Sequence, residues 1–244
     1  MADLVQCSVR KIGFSHGVLF KLHDVYTEKN ILTLKGCGSN AIEVNCHKTD
    51  SVMFLDKILS YVKQFEHVSL HAPCHFRYGS NNETRELLKK LEDFYFKVKS
   101  SLVVVHPDLV DDWSVFDHSA MTWAIENMDN RKPNFKDFID LRMFFDRHPE
   151  WSLVLDLGHC YSNDKSMLSA QDMIELFGGR IKEIHLSGYE VFHEPLYRMD
   201  NPAKIINYCK KLDVPIIIES VFEKSDGLEG VKKELDCVVK VLCE

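Results

Sequence analysis

The chain has 244 residues, 45% hydrophobic and 27% charged, enough apolar material for one α/β barrel or two smaller domains. A formal charge of −7 offers no general attraction for nucleic acid, although bound cations or a basic rim would reverse the sign at one face. No apolar run approaches the roughly 20 residues that span a bilayer. The opening MADLVQCSVRKIGFSHG also lacks the basic-then-apolar order of a secretory signal. Eight cysteines without a CxxC pair read as reduced thiols of a cytoplasmic protein.

Short β-branched runs bounded by turn residues predict a first strand at 9–15 and a second at 41–46. SVMFLDKILSYVKQF (51–65) then places Phe54, Leu55, Ile58, Leu59 and Val62 on one helical face. A third strand is expected at 68–73, followed by the amphipathic segment 83–98, with Leu87, Leu88 and Leu91 aligned. After a fourth strand at 102–107, the segment 108–120 reads only as a short helix or loop. Strands at 122–128, 152–159, 181–188 and 214–220 alternate with helical patterns at 134–148, 169–177, 203–212 and 228–242. Such alternation predicts parallel strands joined by helical crossovers. Eight units in a chain of this length fit a single-domain (β/α)8 TIM barrel spanning 1–244. An open doubly wound sheet is disfavoured because no Gly-rich nucleotide loop follows the first strand.

In such a barrel the C-terminal strand ends converge on one mouth, where active sites are built. Here the third to eighth strands all end in groups able to bind metal: His71, His106, Glu126, Asp156 with His159, His185 with His193 beyond it, and Glu219. Asp156 stands out, because LVLDLGH otherwise reads as a buried strand and an unpaired buried carboxylate is costly. Singly, each of these residues is better explained as a hydrogen-bonded core group. Their shared topological position favours a cation instead, and imidazole with carboxylate suits zinc, manganese or iron(II).

SLHAP, VVVHPD, AIENM, LVLDLGH, IHLSGYEVFHEPL and IIIES occur in an order that resembles the xylose isomerase-like TIM-barrel superfamily. That group includes sugar isomerases and epimerases and the abasic-site nuclease endonuclease IV. The resemblance spans nearly the whole chain and implies one to three divalent ions. Glu126, Asp156, His185 and Glu219 match its shared four-ligand site. His71 and His106, with Glu126 bridging, match a further zinc of endonuclease IV, and His159 and His193 match ligands of a third. Val191 stands where that third site has an aspartate. Other departures are NMDNR after the fifth strand, LSGY after the seventh, and no arginine in 187–192, where epimerases usually carry one.

The first functional expectation is a cytoplasmic, metal-dependent isomerase or epimerase of a small sugar or sugar phosphate. The resemblance then makes Glu126 and Glu219 the acid/base pair, with His159 orienting a substrate oxygen. Arg77, Arg131 and Arg198 are candidates for binding a phosphate by charge-assisted hydrogen bonds, and equally read as solvated surface residues. The alternative is an endonuclease IV-like zinc phosphodiesterase, which makes DNA the less favoured partner because no basic run marks the strand-end loops. A third reading is a barrel that binds a ligand without catalysis. Cys74 and Cys160 adjoin the expected mouth, where structural thiols are the commoner case.

Overall fold

The computed structural model describes residues 10–244, so Val9, at the edge of the first predicted strand, lies outside it. Eight parallel strands close in sequence order: β1 (Ile12–Ser15), β2 (Ala41–Asn45), β3 (His67–His71), β4 (Val103–Val105), β5 (Trp123–Glu126), β6 (Ser152–Asp156), β7 (Ile181–Leu186) and β8 (Ile216–Ile218). β8 pairs with β1, which completes the (β/α)8 barrel expected from the alternation. No described helix is long and apolar enough to cross a membrane.

The helices follow the predicted periodicity with informative exceptions. α1 (Glu28–Gly36) was not expected, because its buried apolar residues, Ile31 and Leu34, cover a single turn. Its start is fixed locally, by the Thr27 side chain accepting from the Asn30 amide. α2 (Leu55–Val62) follows a 3-10 turn at Thr49–Phe54, and α3 (Asn82–Val98) is capped by Asn81. Between β4 and β5 the chain makes only 3-10 turns, Pro107–Leu109 and Trp113–Phe116. α4 (Phe138–Arg147) precedes β6.

The strand predicted at 152–159 stops at Asp156, because α5 (Leu157–Asn163) begins at the next residue with Asp156 as its N-cap. α6 (Leu168–Phe177) and the short α7 (Ala203–Ile206), which continues as a 3-10 turn to Lys211, flank β7. α8 (Gly227–Cys243) closes the ring. Cys37, Cys46, Cys74, Cys160, Cys209 and Cys237 are free thiols, whereas Cys243 is disulfide-bonded, a departure from the fully reduced set expected.

Alternation along the strands separates two environments. Phe14, Ile42, Val44, Leu70, Val103, Ile125, Leu155 and Ile184 face the helices and join the main core. Inside the cylinder Leu102, Val104, Ala124 and Val154 form a small apolar plug on the β4–β6 side. On the other side Glu43, Ser69, His67 and Glu183 are buried in alternation with the core residues of β2, β3 and β7. The interior on this side is therefore polar, from His67 at the start of β3 up to Glu43 and Glu183 beneath the strand ends.

β1 and β2 approach so closely that a Cβ on Gly13 would lie 1.7 Å from the Ala41 carbonyl oxygen, its backbone partner in the sheet. Backbone cannot yield there without parting the strands. Gly13→Ala should cost about 3 kcal/mol or more of stability, read as a lower midpoint in urea unfolding. A wild-type midpoint would show that the strands can separate at little cost.

Candidate metal centre

Asp156 is held by its own junction. Its Oδ1 accepts the His159 amide at 2.7 Å, which starts α5. Its amide donates to Asn127 Oδ1 at 2.8 Å, and Asn127 Nδ2 returns a bond to its carbonyl at 2.9 Å. Gly158 lets this turn pass Ser187, since a Cβ there would sit 2.7 Å from the serine hydroxyl. The other carboxylate oxygen, Oδ2, is buried and has no hydrogen-bond partner.

Around that oxygen the strand ends meet. Glu126, Asp156, His185 and Glu219 each place a ligand atom within 4.8 Å of the others. His185 Nδ1 lies 2.9 Å from Glu126 Oε1 and 3.6 Å from Glu219 Oε2. Glu126 Oε2 faces the other way, 3.1 Å from His106 Nε2 and 3.5 Å from His71 Nε2. Glu126 thus stands between the four-residue set and a second set, His71, His106 and Glu126, that also meets within 4.8 Å.

His159 and His193 lie beside this cluster, with ring centroids 5.6 Å apart, but belong to neither set. The His159 Nδ1–H donates to the Asn127 carbonyl at 2.8 Å, which leaves Nε2 toward the mouth, 3.9 Å from Asp129. His193 has φ +47°, an uncommon left-handed conformation for a residue with a side chain, and its Nδ1 is 3.0 Å from Ser187 Oγ. Val191 is 69% exposed and offers no ligand atom.

The electrostatics describe carboxylates short of positive charge. Burial pushes Glu219 up to about 8; the His185 charge opposes this, while Glu43, Glu126 and Asp156 add to it. Burial likewise raises Asp156 to about 6, against the His159 charge. Glu126 is also penalised by burial, yet the His185 charge and hydrogen bonds from His106, His185 and His71 hold it well below the usual range. His185 is raised despite burial, by Glu219, Glu43 and Glu126. Burial and the neighbouring His159 charge lower His193 to about 3, so it is a neutral imidazole. Three converging acids, one of them with an orphaned oxygen, around the His185 imidazole are what a hard-to-borderline divalent ion would satisfy. The donors present fit such an ion.

Sequence reading missed the layer beneath. His185 Nε2 lies 3.1 Å from Glu43 Oε2, without hydrogen-bond alignment, and 3.5 Å from Glu183 Oε1. Glu183 in turn takes a 2.6 Å contact from His67 Nε2. The alternation AIEVN and IKEIHL already put Glu43 and Glu183 opposite the core-facing residues, which was the available signal. Asp129, another omission, is buried and bonded by Tyr189 Oη at 2.7 Å and by Arg131.

The arginines considered for phosphate are all paired. Arg77 meets Asp111, Arg131 meets Asp129 while lying 4.1 Å above the Phe192 ring, and Arg198 meets Asp226. Cys160 is buried against Met173, and Cys74 sits at the rim beside His47.

No protein-family model matches the chain, and no curated protein matches it. Solved structures do. A 3-keto-D-glucoside 4-epimerase from E. coli superposes with a TM-score of 0.68 at 11% identity, covering 95% of this chain and 99% of the other. A D-allulose 3-epimerase from Methylomonas sp. gives 0.66 at 16% identity, covering 95% and 98%. Endonuclease IV from Thermus thermophilus gives 0.63 at 14% identity, covering 93% and 99%. At these identities the likeness is one of fold, and it is the fold that the ordered motifs implied.

Proposed function

We propose that this protein is a divalent-metal-dependent isomerase or epimerase acting on a small, unphosphorylated sugar. The observation that carries the reading is that Glu126 and Glu219 approach one imidazole nitrogen, His185 Nδ1, at 2.9 and 3.6 Å, within a set of four ligand atoms. Held by those four residues, a divalent ion would supply Lewis acidity toward substrate oxygens. The chain's own groups do the rest. Glu219, 13% exposed toward the mouth, takes a proton from the carbon next to the carbonyl, and the C–H electron pair shifts toward the carbonyl oxygen. Glu126, ionised beside its histidines, returns a proton to the carbon after receiving one from His71, whose Nε2 lies 3.5 Å away, and Glu219 and His71 exchange their protons with water to restore the starting state. His159 presents Nε2 to a substrate oxygen, its ring fixed through Nδ1. Glu43 and Glu183 face the far side of His185, and the Glu43 charge raises its basicity.

The unphosphorylated substrate is supported by the rim. Besides the three paired arginines, Lys132 is bonded to Asp108, Lys21 to Glu223 and Lys165 to Glu190. Charge neutralised in this way gives a substrate phosphate, or the many phosphates of a duplex, little to bind. The endonuclease reading keeps one specific support, the His71–His106–Glu126 set, which suits a second ion.

One experiment tests the proposal. The metal-loaded protein, incubated with a panel of ketopentoses and ketohexoses in deuterated water, should exchange the hydrogen next to the carbonyl and interconvert epimers, and chelation should stop both. Chelation-sensitive incision of an abasic-site duplex, without sugar exchange, would replace this reading with the nuclease one.

A further inference from the structure

A second cluster of donors lies on the rim and has no part in the reading above. The β2–β3 ladder continues one residue beyond the strand end, with the Cys46 amide on the His71 carbonyl at 2.9 Å. This carries His47 alongside the loop that follows β3. That loop is pinned by Tyr78, whose buried hydroxyl donates to the Pro73 carbonyl at 2.9 Å. Cys74 and His75 come next. His47, Cys74 and His75 place one ligand atom each within 4.8 Å of the others, and the two imidazole rings stand 4.4 Å apart at 72°.

We propose that His47, Cys74 and His75 form a thiolate-containing site for a soft divalent cation, zinc above all, separate from the carboxylate-rich centre. The spacing fits the ion. Zinc bound to sulfur at about 2.3 Å and to nitrogen at about 2.0–2.1 Å, at a tetrahedral angle, separates the two ligand atoms by roughly 3.5 Å. Cys74 Sγ and His47 Nδ1 are 3.4 Å apart. A thiol–imidazole hydrogen bond also accounts for that one distance, but not for the second histidine brought to the same point. His47 and His75 are solvent-exposed and Cys74 is partly so, which leaves a fourth position for water and a path of entry.

The donor types divide the two centres. Sulfur with two imidazoles favours zinc or cadmium, whereas Glu126, Asp156, His185 and Glu219 also accept harder ions such as manganese. Burial, with the Glu219 charge, raises the Cys74 thiol to about 11, so the metal-free protein keeps it protonated and an ion must displace that proton.

Cobalt(II) reports the sulfur ligand directly. The full chain titrated with cobalt should show a near-ultraviolet sulfur-to-cobalt charge-transfer band. The band should be absent in Cys74→Ser and should require about tenfold or more cobalt in His47→Ala and in His75→Ala. Zinc content should fall by about one ion per chain in Cys74→Ser. Glu219→Gln, which removes a ligand of the central ion, should keep the band, so failure of the rim site is distinguishable from failure of the central one. Circular dichroism on each variant checks folding. A wild-type protein without the band, or one whose band and zinc content survive Cys74→Ser, overturns the proposal.

Discussion

Glu219→Gln should leave a folded barrel whose activity falls by about 10³-fold or more and whose central ion is lost or bound far more weakly. The glutamine keeps the side-chain volume, and the backbone is anchored independently, with the residue 219 amide on the Leu186 carbonyl at 2.9 Å. What disappears is an anionic ligand and, in the proposed chemistry, the group that moves the proton; loss of general acid–base catalysis alone is worth about 10²–10⁴-fold. In the metal-free protein burial already holds the Glu219 carboxyl up to about 8, so near neutral pH the amide replaces a largely protonated acid. Stability of the metal-free variant should therefore match wild type at pH 7, while ion content and turnover do not. Full activity in Glu219→Gln would remove this centre from any account of function.

Removing the ion from the wild-type protein should lower its thermal midpoint, and the difference should widen as pH rises. An ion present at 100 to 1,000 times its dissociation constant stabilises by about 2.7–4.1 kcal/mol, which in a domain of this size corresponds to roughly 5–15 °C. The pH dependence follows from the shifts. Glu219 is raised from 4.5 to about 8 and Asp156 from 3.8 to about 6, in both cases chiefly by burial. His71, opposed by burial but favoured by Glu43 and Glu126, is raised from 6.5 to about 9. In each case the native state holds its proton more tightly than the unfolded chain. The associated stability is complete below the unfolded value and is lost as pH climbs through the folded one. His193, lowered from 6.5 to about 3, and His16, lowered from 6.5 to about 4, both chiefly by burial, act in the opposite sense up to pH 6.5, so the net weakening of the metal-free protein should fall between about pH 6.5 and 9. A bound cation favours the deprotonated ligands and flattens that decline. Differential scanning calorimetry with and without chelator, across this range, gives the answer. Coincident midpoints at every pH would mean that no ion is held.

The barrel was legible because each strand and most helices carry their own periodicity, and because the ordered strand-end motifs resemble one superfamily. The positions of His71, His106, Glu126, Asp156, His185 and Glu219 follow from lying at, or within one residue of, the ends of their strands. Residues set deeper were not legible. Glu43 and Glu183 end nothing, and their importance depends on which barrel-interior neighbours they meet across β2, β3 and β7. Asp156 shows a different limit. A strand pattern runs on through LVLDLGH, but one carboxylate oxygen caps a helix, and that local bond overrides apolar continuity. The rim cluster escaped notice because His47 is brought to Cys74 and His75 only by the β2–β3 register.

The polar side of the barrel interior has a practical consequence for anyone wishing to harden this protein. Ser101 lies 3.5 Å from His67, His67 contacts Glu183 at 2.6 Å, and Glu183 is 3.5 Å from His185, so a file of polar groups runs from the floor of the cylinder to its opening. Buried ion pairs of this kind can often be exchanged for well-packed aliphatic residues with a gain in thermostability. Here such an exchange at 67 or 183 would remove the buttress behind His185 and loosen the centre from the opposite end of the molecule. The easiest sites to stabilise are the ones whose improvement would blunt the proposed activity.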